Sequence, residues 1–106
     1  MKGLCETFSN EMAFRIELTA AVILVPTALI LSASPIVRIM LIGSVFLVLI
    51  VELLNTGIET IVNRISTEQH YLSGRAKDAA SAAVFVASLN LVFVWGTVSF
   101  DLILNK

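Results

Sequence analysis

Charge is what this chain has least of. Only 14% of its 106 residues are charged and 58% are hydrophobic, where an average soluble domain carries about 25% charged residues. A chain this short leaves roughly a third of its unfolded surface exposed after folding, which argues against a water-soluble monomer. Disorder fails as well, because it needs low hydrophobicity and high net charge, and the net charge here is -1. Nothing resembles a basic nucleic-acid footprint, so no nucleic-acid partner is expected. A single cysteine, Cys5, excludes an internal disulfide framework and a Cys-based zinc cluster. No Walker-type P-loop and no Gly-rich kinase loop is present. With a mean hydropathy of +0.95, the apolar surface belongs in lipid, in partner subunits, or in both.

What is there is a set of long uncharged runs. Residues 18–37, 39–51 and 79–100 carry no charge at all, and a membrane-crossing helix needs about 20 mostly apolar residues. The first and third runs meet that length outright; the second meets it only if Glu52 is taken into the membrane. The reading is an all-α membrane protein, a single domain over 1–106. An interfacial or cytoplasmic segment at 1–17 leads to span 1 at 18–34. Span 2 follows at 36–62, a cytoplasmic loop at 63–73, and span 3 at 74–104. Pro26 falls inside span 1, where proline is tolerated with a kink, and Ser32, Ala33, Ser34 and Pro35 form a tight turn. Ser73 is the expected N-cap of the third helix. The first apolar run is preceded by Glu6, Glu11, Arg15 and Glu17, so no cleavable signal peptide is expected. Lys2, Arg15, Arg64, Arg75 and Lys77 share one side against Arg38 and Lys106 on the other. That excess places the N-terminus and the 63–78 segment in the cytoplasm.

An ionisable residue inside a membrane span is a functional hypothesis by default, since it costs on the order of 3 kcal/mol at the bilayer centre. Glu52, Asn55 and Glu59 stand at i, i+3 and i+7, within one narrow stripe at about 100° per residue. Two carboxylates about 10 Å apart along a helix, with an amide between, suit a general base and a holder of a hard cation. A buried polar stripe that merely ties helices together is the plainer alternative, but two acids on one stripe repel unless a cation intervenes. Glu11 and Arg15 are spaced as a surface ion pair of small worth, and Glu11 gains meaning only if it meets Glu59. Asn90, mid-span, is expected to make an interhelical hydrogen bond, and Trp95 to be an apolar filler.

The stretches 10–17 (NEMAFRIE), 51–59 (VELLNTGIE) and 72–84 (LSGRAKDAASAAV) together resemble the bacterial integral-membrane diacylglycerol kinases, from about Lys2 into the third span. The resemblance implies a homotrimer of three-span subunits in the bacterial inner membrane, each with a short interfacial helix ahead of its first span. It implies transfer of the γ-phosphate of ATP to the hydroxyl of diacylglycerol, giving phosphatidic acid, with Mg2+. On the family pattern Glu52 is the catalytic base with Asn55 beside it, and Glu11 and Glu59 hold the metal. Nucleotide contacts fall on Glu11, Glu59, Glu68, Gln69, His70, Lys77 and Asp78. The lipid site falls on Ala13, Phe14, Arg15, Ile16, Glu17, Arg38, Glu52 and Ser81. Two features depart from the pattern: the chain opens close to the end of the family's surface helix, and Asn63 stands where an acid commonly occurs. A branch of the family that phosphorylates undecaprenol is the alternative within the same chemistry. From another class, a small proton-coupled transporter working through Glu52 is the competing expectation, and a structural membrane subunit the third.

Overall fold

Phe14, Ala21 and Ala28 recur at seven-residue intervals, and so do Ala80, Ala87 and Val94. That spacing returns one helix face to the same partner turn after turn. All six are buried, and between them lies a seam of Leu41, Val45, Val48 and Leu49. The structure is a computed structural model that describes residues 1–65 and 71–105, without the side chains of Phe8 and Asn10. Its elements are α1 (Lys2–Asn10), α2 (Met12–Leu31), α3 (Pro35–Ile65) and α4 (Tyr71–Leu104), with no strand among the described residues. α2, α3 and α4 are each long and apolar enough to cross a membrane.

The three long helices run antiparallel in order. Across α3 and α4, Trp95 meets Leu41 and Lys77 meets Asn63, so positions climb on one helix as they fall on the other. Across α2 and α3, Arg38 reaches back to Leu29 while Phe14 packs in a cluster with Val45 and Leu49. Four of the seam positions on α2 and α4 are alanine. Small side chains let helix backbones approach closely, which is how helices associate where lipid removes the hydrophobic incentive. Most of the remaining apolar surface faces outward, including Val22, Ile23, Ile39, Phe85 and Phe93.

The element boundaries have local causes. Glu11 is extended, with φ -117 and ψ 112, and serves as C-cap of α1 and N-cap of α2. Its N–H donates to Thr7 O at 2.9 Å and its carbonyl accepts from Arg15 N at 3.1 Å. α2 therefore begins at Met12, six residues ahead of the expected start of span 1. It continues through Pro26 to Leu31, with Thr27 Oγ1 donating to Ile23 O close to the turn that lacks the proline N–H. The α2–α3 corner is pinned from both sides. Ser34 Oγ accepts from Val37 N with Pro35 at the first helical position, while Arg38 donates to Ser32 O (2.6 Å) and Leu29 O (2.9 Å). The last carbonyls of α2 thus meet a cation where the helix dipole favours one.

α3 runs 31 residues and α4 34, about 46 and 51 Å at a rise of about 1.5 Å per residue. Both exceed a hydrocarbon core of about 30 Å, so each extends past it into the polar stretch after span 2. Asn63–Ile65 extend α3, and Tyr71 opens α4, which puts Ser73 inside the first turn instead of at the N-cap.

Candidate functional site

The antiparallel register gathers chemistry at one end of the bundle. Glu11 and Glu17 lie at the start of α2, Glu52, Asn55 and Glu59 in the second half of α3, and Lys77 and Asp78 in the second turn of α4. Arg38 lies at the other end, about 21 Å along α3 from Glu52 at about 1.5 Å per residue.

Glu52 is the centre of this end. Its side chain is 6% exposed, because the seam 41–45–48–52 carries it inward on the face that packs against α2. Leu53 beside it packs on the cluster that holds Phe14. The carboxylates of Glu17, Glu59 and Glu11 all lie close enough to act on Glu52 electrostatically. Acids from α2, from α3 and from the α1–α2 junction therefore converge on one buried group. Like charges gathered at one end repel one another, and a cation bound there would offset them.

Asn55 links two of these acids. Its Nδ2 donates to Glu59 Oε1 at 3.2 Å, which fixes the carboxylate's orientation and turns the amide's carbonyl the other way. That Oδ1 is buried without a hydrogen-bond partner. A buried acceptor left unmatched is uncommon in native proteins and costs about 1–3 kcal/mol unless a ligand or water meets it. Among the described residues no group of three or more His, Cys, Asp or Glu is arranged to hold a metal ion. Any metal here depends on fewer protein ligands, with the rest coming from substrate or water. Hard oxygen donors such as Glu59, Glu11 and the Asn55 carbonyl fit Mg2+, which keeps much of its shell from phosphate and solvent.

Beside the stripe, α1 and α3 enclose an open groove of about 790 Å³ whose lining includes Glu6, Thr7, Glu11, Thr56, Gly57 and Thr60. A Cβ at Gly57 would meet no atom within 4 Å, so the groove is open at that point. Glu11 borders both this groove and the acidic convergence. On α4, Lys77 Nζ donates to Asn63 Oδ1 at 2.7 Å, and Arg75 lies over the Tyr71 ring, 5.8 Å from its centroid.

The remaining expected contacts separate. Ala13, Arg15, Ile16 and Ser81 are exposed at this end and Glu17 is half-buried. Phe14, at 1% exposure, is withdrawn into the core. Arg38 spends its guanidinium on main-chain carbonyls at the α2–α3 corner. Between Glu11 and Arg15 the contact is main-chain to main-chain. Glu68, Gln69 and His70 lie outside the described residues. Asn90 makes no side-chain hydrogen bond among the described residues; it borders a shallow groove whose other lining residues, including Leu47, Ala83 and Val86, are apolar. Trp95 is more than a filler: its Nε1 donates to Leu41 O at 3.1 Å, a carbonyl that also accepts from Ser44 Oγ. The sequence signal for it was available, since an indole N–H in an apolar span needs a partner.

The chain is similar to known proteins over most of its length. The family model of prokaryotic diacylglycerol kinase matches residues 1–99. A diacylglycerol kinase of Haemophilus influenzae is 49% identical over 100 residues, covering 94% of this chain and 85% of the relative. One of Escherichia coli is 50% identical over 94 residues, covering 89% and 77%. One of Pseudomonas aeruginosa is 43% identical over 98 residues, covering 92% and 80%.

Proposed function

Since the chain belongs to the prokaryotic diacylglycerol kinase family, we propose that it phosphorylates the hydroxyl of diacylglycerol with ATP, giving phosphatidic acid, as a homotrimer in the bacterial inner membrane. Membership in an enzyme family leaves no ground for the transporter or the purely structural subunit. The observation that carries the reading is the burial of Glu52 among apolar helices with three other carboxylates converging on it. A lipid hydroxyl arriving from the bilayer meets Glu52 as general base, the group that takes its proton while the oxygen attacks phosphorus. Glu59, held by Asn55, and Glu11, at the edge of the α1–α3 groove, are the residues that would hold Mg2+. When bound, that ion offsets the charge of the transferred phosphoryl group. Lys77 adds a cation for the nucleotide phosphates from α4, with Asp78 beside it and Glu68, Gln69 and His70 following on the same family pattern. The excess of basic residues at this end, Arg15, Arg64, Arg75 and Lys77, supports a cytoplasmic location for it and the N-terminus, where ATP is.

The test is reconstituted protein given labelled ATP, Mg2+ and either diacylglycerol or undecaprenol in the same vesicles. Labelled phosphatidate is the expected product. Preference for undecaprenol would move the chain to that branch, and no labelled lipid from either would overturn the kinase reading. Glu52→Gln is expected to lower turnover about 10²-fold or more, the usual worth of a general base, with the trimer intact by size. Unchanged turnover would remove Glu52 from that role.

A further inference from the structure

α3 and α4 end and begin on either side of residues 66–70, and among the described residues a side-chain hydrogen bond joins them there. Lys77 Nζ donates to Asn63 Oδ1 at 2.7 Å. Fourteen residues separate the two partners, so the contact does not follow from helix spacing; it depends on how α4 packs against α3. An ammonium has three N–H donors. One goes to Asn63, and among the described residues no acceptor takes the other two.

The chemistry of the acceptor matters more than the contact itself. A carboxamide oxygen steers the ammonium without cancelling its charge. A carboxylate at the same position would form an ion pair, and an anion would then have to displace it before using the full charge of Lys77. The other nearby cation on α4, Arg75, lies over the Tyr71 ring. Lys77 is thus held at a defined place with its charge uncompensated by its hydrogen-bond partner.

We infer that Asn63 is a positioning residue for nucleotide binding: it anchors Lys77 toward the phosphates through a neutral acceptor and so sets the affinity for ATP. This inference rests on the kinase reading given above. It assigns a role in the reaction to a residue that itself touches no substrate.

Steady-state kinetics with MgATP and diacylglycerol in mixed micelles test it. Asn63→Asp is expected to raise KM for MgATP about three- to fivefold, the scale of an exposed ion pair, while kcat and KM for diacylglycerol stay within about twofold. Asn63→Ala removes the anchor but adds no competing charge, and is expected to raise KM for MgATP only about twofold on the same scale. Equal effects of Asp and Ala, parallel changes in both KM values, or no change with Asp would each overturn the proposal. A second readout needs no turnover: acetylation of Lys77 by an amine-reactive ester, followed by mass spectrometry, is expected to run faster in Asn63→Ala than in the unmodified protein. Equal labelling would show that Asn63 does not anchor Lys77. If the unmodified protein phosphorylates no lipid, the kinase reading fails on that result, while the labelling still judges the anchor.

Discussion

At the scale of single residues, the stripe on α3 divides its labour by burial. Glu52, Asn55 and Glu59 share a face by spacing alone, and that much is legible in the sequence. Which member is sealed and which is open is decided by how the neighbouring helices pack around α3, and no one-dimensional pattern carries that. The unmatched Oδ1 of Asn55 follows from its amide nitrogen being committed to Glu59. Asn55→Leu keeps approximate volume but frees the Glu59 carboxylate. The Mg2+ concentration for half-maximal activity is expected to rise about tenfold, the lower end of what losing a supporting contact to a metal-holding group costs. A titration of activity against Mg2+ at saturating ATP reads this directly. A fall in kcat with an unchanged Mg2+ requirement would place Asn55 on the base side of the reaction instead.

At the scale of elements, the long helices and the turn between α2 and α3 were readable, and the contacts that pin the joints were not. Uncharged runs mark α2, α3 and α4, because in lipid every backbone polar group must be satisfied within the segment. The joints depend on pairings that sequence spacing hides, such as Arg38 folded back over the end of α2 and Trp95 bonded to Leu41. The capping role of Arg38 also bears on its family assignment to the lipid site. Arg38→Met removes two hydrogen bonds to main-chain carbonyls, each worth about 1 kcal/mol net. The expected result is a lower thermal midpoint in detergent with KM for diacylglycerol unchanged. A raised KM at unchanged midpoint would assign the guanidinium to substrate. Trp95→Phe is the parallel case on α4. It is expected to cost about 0.6 kcal/mol, the average for an interhelical hydrogen bond in a membrane, seen as a small drop in midpoint with full activity.

At the scale of the whole molecule, one chain is an incomplete object. Its three long helices bury a narrow seam and leave broad apolar faces on α2, α3 and α4 uncovered, while the site end collects acids from three elements around a groove open to the outside. Composition already required lipid or partner subunits to cover those faces. How many subunits, and whether they share a site, lies beyond any reading of one helix at a time. If subunits complete each other's sites, two inactive variants can repair each other when mixed. Glu52→Gln lacks the base, and Glu11→Gln lacks a metal-holding group on a different element. Each alone is expected to be nearly inactive. Because Glu11 acts on Glu52 from within one chain, the two variants, dissociated in denaturing detergent and refolded together, are expected to recover no phosphatidate synthesis above either alone. Recovery well above either would mean that an intact Glu52 from one subunit works with an intact Glu11 from another. Recovery confined to the background of the separate variants would mean that Glu11 and Glu52 serve the same site from the same chain, with oligomerisation supplying only cover for the apolar faces.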